Sequence, residues 1–151
     1  MTAACLLALG ATARGQLGNT TETCAATYGT HIEHADIGRD FKQRSGEDVR
    51  VFRRTYIKRG YDVTIIFIEG HAEAVVYHPR FGNKIYAEER DTFLAENVEF
   101  SDWKEVSGHW ERQDGHAFAK QLTRDGAEHF IVFSVVYLQA RGESLEDEPF
   151  E

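Results

Sequence analysis

Residues 61–77 read YDVTIIFIEGHAEAVVY, and the fold turns on them. Tyr61, Val63, Ile65 and Phe67 alternate with Asp62 and Thr64, while Ile66 and Ile68 make the far end apolar on both faces. A period of two belongs to an extended chain, whose successive side chains point to opposite sides. Glu69-Gly70-His71 breaks the run, and a glycine-containing link this short supplies the positive φ of a hairpin turn. The chain returns as AEAVVYHP to Pro79, which cannot donate to a strand ladder. Upstream, VFRRTYIKR (51–59) ends at Gly60 in the same manner, so residues 51–79 predict three antiparallel strands.

The turn has an echo, because EGHAEA (69–74) returns as DGHAFA (114–119). The pair is either a duplicated histidine site or two bends at like points of a repeated unit. Bends explain more of the residues. Gly70 and Gly115 supply positive φ, the adjacent acids tolerate it, and each histidine opens an outgoing strand. The Ala-x-Ala steps keep that strand's face small enough to lie under a helix.

Further out, NTTETCAATYG (19–29) predicts a short helix. Asn19 stands at the cap with Glu22 three residues on, Cys24, Ala25 and Tyr28 share a face, and Gly29 closes it. Residues 30–48 have weak periodicity and many polar groups, and read as a loop with room for one helical turn. AEERDTFLAEN (87–97) predicts an amphipathic helix, with Phe93 and Leu94 on its apolar stripe. DWKEV, HWERQ, AFAKQL and EHFIVFSVVYLQAR then read as strands, with Asp114-Gly115 and Arg124-Asp125-Gly126 as turns. The expected fold is α+β: a helix plus an antiparallel meander sheet, in two similar halves of one helix and three strands each (about 19–80 and 84–140), with the helices packed on one face.

The formal charge of −8 is concentrated at the C-terminus, where ESLEDEPFE carries five acids and no base. Removing those five negative charges leaves the remainder at −3. Residues 141–151 therefore predict a solvated acidic tail. The bases from Arg50 to Arg59 alternate with Val51, Phe52, Tyr56 and Ile57 in a strand pattern and form no stripe, which argues against nucleic acid as a partner. Ala3 to Gly10 are apolar, and Ala11-Thr12-Ala13 precedes Arg14. Residues 1–13 thus match a truncated signal peptide that is too short to span a bilayer. That segment predicts export, periplasmic or secreted. Read instead as an ordinary apolar arm, it leaves the protein cytoplasmic. Cleavage would remove Cys5 and leave Cys24 unpaired.

TTETCAATYG (20–29), YDVTIIFIEGHAEAVVY, and FLAENVEFSDWKEV (93–106) followed by HWERQDGHAFA (109–119) together resemble a family. It comprises the small exported domains of the β-lactamase inhibitor protein type and the related BamE-like (SmpA/OmlA) outer-membrane lipoproteins. In these a helical segment precedes an antiparallel meander, and the inhibitor holds two tandem copies. The likeness covers roughly residues 19–140 and rests on common α+β patterns. His31 in GTHIE stands where the family has a proline, and there is no lipobox, so membrane anchoring does not carry over. The resemblance implies a protein-binding module rather than an enzyme.

No catalytic, cofactor-binding or metal-ligating set is nominated. HIEH (31–34) spaces His31 and His34 at i, i+3, without the spacing or glutamate of a zinc helix. His71, His78, His109, His116 and His129 scatter over strand ends, and Cys24 reads as a small core residue. The candidate binding feature is the run HFIVFSVVYL (129–138), read as one strand with apolar residues on both faces, which fits a central strand covered on both sides, a dimer interface or an exposed recognition face. With Phe67, Tyr77, Trp103, Trp110, Phe133 and Tyr137 it would form an aromatic face for another protein or for self-association. The alternative is a small hydrolase or ligand-binding protein with a cleft between helix and sheet, lined by histidines and acids.

Overall fold

The computed structural model describes residues 17–46, 48–98 and 101–144, without the side chains of 42–45. Residues 1–13, for which the sequence predicts a signal peptide, with Cys5, and the acidic residues beyond Ser144, lie outside the described residues. In chain order the elements are α1 (Thr21–Tyr28), β1 (Glu33–Asp36), α2 (Gly38–Ser45), β2 (Val51–Lys58), β3 (Tyr61–Ile68) and β4 (His71–Pro79). There follow α3 (Ala87–Glu96), β5 (Trp103–Val106), β6 (His109–Arg112), β7 (Ala117–Arg124), β8 (Ala127–Ser134) and α4 (Val135–Arg141). The fold is α+β, built on one eight-stranded antiparallel sheet in the order β1-β2-β3-β4-β8-β7-β6-β5. No described helix is long and apolar enough to cross a membrane.

Four hairpins use two-residue turns in which both residues have positive φ: Arg59-Gly60, Glu69-Gly70, Ser107-Gly108 and Asp125-Gly126. That backbone twist matches the twist of the flanking strands. Asp114-Gly115 is a wider bend, with only Gly115 at positive φ. The Asp114 carboxylate accepts from Arg112 Nε at 2.9 and 3.1 Å and from the His116 amide at 2.9 Å. Both acid–glycine–histidine steps are bends between antiparallel neighbours, as expected. They do not fall at like joints, however: one links β3 to β4, the other β6 to β7. What the two outgoing strands share is a neighbour, since β4 and β7 both pair with β8.

Every second residue of β3 enters a different core. Tyr61, Val63, Ile65 and Phe67 join Cys24 and Tyr28 of α1 with Phe93 and Leu94 of α3. Ile66 and Ile68 join Phe41 of α2 with Tyr137, Leu138 and Ala140 of α4. The expectation of helices on one face is therefore corrected. The stretch from Ile65 to Ile68 is apolar at every position, so each face needs a cover there. A bulge at Glu73 sets Ala72 opposite Phe67 and Ala74 opposite Ile66, which sends the two alanines to opposite faces. Only Ala117 and Ala119 form a small-residue face together.

Two regions differ from the sequence expectation. The span read as a loop contains β1 and α2. Its anchor is Phe41, 2% exposed. The final apolar run is not one strand: β8 stops at Ser134, whose side chain accepts from the Tyr137 amide and caps α4. The helix ends in a left-handed Gly142, with Gly142 N–H donating to the Gln139 carbonyl and Glu143 N–H to that of Leu138. Arg141 and Glu143 are ion-paired at 2.7 Å and nearly buried, so the fold continues three residues into the span read as a tail. At the sheet's outer rims, β1 and β5 are four residues each. Glu33, His34 and Asp36 are exposed on one, and Lys104 and Glu105 on the other.

Candidate functional site: a groove over the open half of the sheet

The six aromatic residues predicted to form a binding face do not share one. Phe67, Tyr77, Phe133 and Tyr137 are each at most 1% exposed. Phe67 and Tyr77 lie in the core under α1 and α3, and Phe133 and Tyr137 in the core under α2 and α4. Trp103 and Trp110 are half-buried against the first core, where Trp103 Nε1 donates to the Leu94 carbonyl at 2.8 Å. The open aromatic face is thus corrected to two interior clusters. Two-sided apolarity in β8 reports burial on both sides of a central strand. Among the described residues the large apolar side chains left in the open are Ile32, Ile57, Phe81, Tyr86 and Val136, none from the predicted set.

A concavity lies on the face covered by α2 and α4. These short helices shield only one end of the sheet, where Ile68, Ala74 and Phe133 lie. The next two cross-strand rows are left as a floor. One row runs Glu33–Thr55–Thr64–Val76 through successive ladder partners. The other places Asp62 opposite His78 and Leu122 opposite His129. Ile37, Asp40 and Phe41 of the α2 segment, with Arg141 of α4, form one wall. Leu122, Thr123 and Arg124 at the end of β7 form the other, enclosing about 440 Å³. This is within the ~300–1,000 Å³ range of small-molecule sites.

Its polar groups are held in place. Thr55 and Thr64 hydroxyls are 2.9 Å apart at the floor. Arg53 pairs with Glu33 at 3.3 Å, and Arg80 with Asp62 at 3.1 Å, so two of the acids have cations of their own. Among the described residues Arg124 has no carboxylate partner. At the centre the imidazoles of His78 and His129 stack, with centroids 4.4 Å apart and planes at 21°. His129 Nδ1 lies 3.2 Å from the Ala127 carbonyl and must donate to it, since a carbonyl oxygen only accepts. In the neutral ring Nε2 is then an acceptor. Burial first, then the neighbouring His78 and Arg124, hold His129 below the ordinary histidine range. His78 Nδ1 is buried and has no hydrogen-bond partner in the structure. The groove therefore presents hydroxyls, two stacked imidazoles and the rim guanidinium of Arg124 beside the apolar side chains of Ile66, Val76 and Leu122.

The remaining histidines are dispersed. His31 and His34 stand 6.0 Å apart by ring centroid, beside Tyr56 and Phe52 respectively. His71 Nδ1 contacts the Gly18 carbonyl at 3.1 Å, and His109 Nε2 contacts Glu111 at 3.1 Å. Among the described residues no three or more His, Cys, Asp or Glu gather as a metal site. Cys24 is fully buried on the opposite face, and burial pushes its thiol up to about 12, far from a reactive thiolate. Sequence reading listed both groove histidines but could not join them. They come from β4 and β8, which become neighbours only through the sheet order.

No family model matches the chain, and no curated protein matches it in sequence. Among solved structures, a cysteine-rich secretory protein from Staphylococcus aureus subsp. aureus Mu50 is similar with a TM-score of 0.46 at 9% identity. The alignment covers 90% of this chain and 50% of that one, so the chain spans about half of its length. A likeness this distant carries no functional argument.

Proposed function

We propose that this protein is a non-catalytic binding module whose ligand is a small, partly apolar molecule seated in the groove between α2 and the open rows of the sheet. The observation that carries the reading is the stacked His78–His129 pair, with a buried ring nitrogen lacking a partner, on the floor of a cavity of ligand size. A buried polar atom without a partner costs free energy, which a bound hydrogen-bonding group recovers. Arg124 at the rim and the Thr55–Thr64 hydroxyls suit a carbonyl or weakly acidic group on the ligand. Ile66, Val76 and Leu122 suit its apolar body.

Two finer points belong to the same reading. The strand order, with β1 to β4 running inward and β8 to β5 running outward, supports two four-stranded units like the tandem copies of the β-lactamase inhibitor type. The apolar Ala3–Gly10 run and the Ala11-Thr12-Ala13 step support an exported domain.

The test is an NMR screen of a small-molecule library against the isotope-labelled chain. Hits should move the signals of Thr55, Thr64, His78 and His129, and Thr64→Tyr, which fills the floor, should abolish them while the protein still melts cooperatively. The groove is not the site if no compound moves those signals, or if Thr64→Tyr binds as well as the parent.

A further inference from the structure

A second cavity, of about 260 Å³, opens on the opposite face of the sheet between α1, α3 and the β2–β3 turn. It is lined by Tyr28, Tyr61, Tyr77 and Phe93, with the carboxylates of Glu89 and Glu96. It is smaller than a site for a whole drug-sized ligand, which fits a head group. Burial, first among the causes, raises all three tyrosines above their ordinary range, so the phenol walls stay neutral beside the two carboxyl groups. Tyr77 is fully engaged: its hydroxyl donates to Glu96 Oε2 at 3.0 Å and accepts from Asn97 Nδ2 at 3.1 Å.

Two features point to what the cavity takes. The first is that a cation already sits there: Lys58 Nζ is 4.8 Å from the centroid of the Tyr28 ring. An ammonium over an aromatic face is attracted by the ring quadrupole. Lys58 reaches this position on a flexible stem at the very end of β2. Its neighbour Arg59 holds Glu96 at 3.2 Å through a side chain that is 65% exposed. Exposed pairs of that kind are weak and readily exchanged. The second feature is Tyr28 itself, 8% exposed, whose buried hydroxyl makes no well-formed hydrogen bond among the described residues and has beside it the Tyr77 hydroxyl, which is already engaged. A ring face, a carboxylate and an unsatisfied hydroxyl together ask for a positive nitrogen that still carries a hydrogen.

We propose that this cavity is a second binding site, for the head group of a primary-to-tertiary alkylammonium, which displaces Lys58 and, free of its stem, sits toward the ring edge where its N–H reaches Tyr28 Oη. A quaternary ammonium satisfies the ring but cannot donate to Tyr28 Oη, so the site discriminates by the N–H rather than by charge. The site lies on the other face from the groove, so the failure of either reading leaves the other intact.

The probes are trimethylammonium and tetramethylammonium chlorides, titrated at constant ionic strength into the labelled full chain and followed by NMR. Trimethylammonium should shift the Tyr28, Lys58 and Glu96 signals saturably and bind at least about fivefold more tightly than tetramethylammonium. Lys58→Met keeps the apolar stem and removes the internal cation, so it should tighten both ions by about fivefold or more. Tyr28→Phe removes only that hydroxyl and should abolish the preference between the ions. The proposal is overturned by no saturable binding in Lys58→Met, by equal affinities in the parent, or by an unchanged preference in folded Tyr28→Phe. Should Tyr28→Phe fail to fold, the parent and Lys58→Met titrations decide alone.

Discussion

Asn97 offers the sharpest test of how this molecule is held together. It is fully buried directly after α3. Its Oδ1 accepts from Leu17 N at 3.2 Å, and its Nδ2 donates to Tyr77 Oη at 3.1 Å and to the Phe93 carbonyl at 2.9 Å. Its own carbonyl accepts from Arg112 Nη1 at 3.2 Å. One side chain thus ties the N-terminal segment, the central strand β4 and the end of α3. Asn97→Ala removes three side-chain bonds at a net ~0.5–1.5 kcal/mol each and strands the Leu17 amide and the Phe93 carbonyl in the interior. The expected loss is therefore about 3–4 kcal/mol. Asn97→Asp keeps the acceptor for Leu17 but turns a carboxylate oxygen toward the Phe93 carbonyl, near Glu96. Its folded pKa should rise above the ordinary ~3.9 of aspartate. A group raised in the folded state contributes stability below its unfolded pKa and loses it as pH rises through the folded value. The gap between this variant and the parent should therefore widen as pH rises from about 4 to the folded value. Urea unfolding monitored by Trp103 and Trp110 fluorescence measures both. An Asn97→Ala loss under about 1 kcal/mol, or an Asn97→Asp gap that does not change with pH, would refute this account.

Two further outcomes follow from the same packing. His129 is depressed in the folded state, so its share of stability is fully present above about pH 6.5 and is lost as pH falls through the folded value. Replacing it by His129→Gln should flatten the fall in unfolding free energy as pH drops below about 6.5, and an unaltered slope would place the pH dependence elsewhere. Tyr137 is fully buried, with Phe41 edge-on at 5.8 Å and the Arg141 guanidinium 5.7 Å from its ring. Tyr137→Ala should cost about 3–5 kcal/mol of stability in denaturant and leave the sedimentation behaviour of the folded fraction unchanged; a stable variant with altered association would restore an interface role.

The central hairpins were readable because strict alternation and glycine turns dictate them locally. β2, β3 and β4 lie where residues 51–79 predict, and α1 and α3 where their apolar pairs do. α1 begins one residue later than expected, because the Thr20 hydroxyl rather than Asn19 takes the first-turn amide. What escaped was set by distant contacts. β1 is three polar residues and an alanine that exist as a strand by pairing with β2, and among the described side chains of α2 the buried anchor is Phe41. Neither leaves a periodic trace. The change from strand to helix at Ser134 did leave one: a capping serine, apolar residues at 137, 138 and 140, and Gly142 at the far end. The unbroken apolar run hid it, since such a run suits a buried strand equally well. The groove was legible only as a class of site. Asp62 and Thr64 read as the polar face of a strand, and nothing local says that His78 and His129 will stack.

The brevity and charge of the two outermost strands also govern how copies of this molecule meet. A sheet rim normally offers unsatisfied amides and carbonyls to any other chain that arrives extended. Here an incoming strand finds room for only four residues and must bring Glu33 and Asp36, or Lys104 and Glu105, against its own side chains. Lateral polymerisation is thereby discouraged at both ends. Lengthening either rim with uncharged β-branched residues would lift that protection and turn a self-limited sheet into a template for fibres.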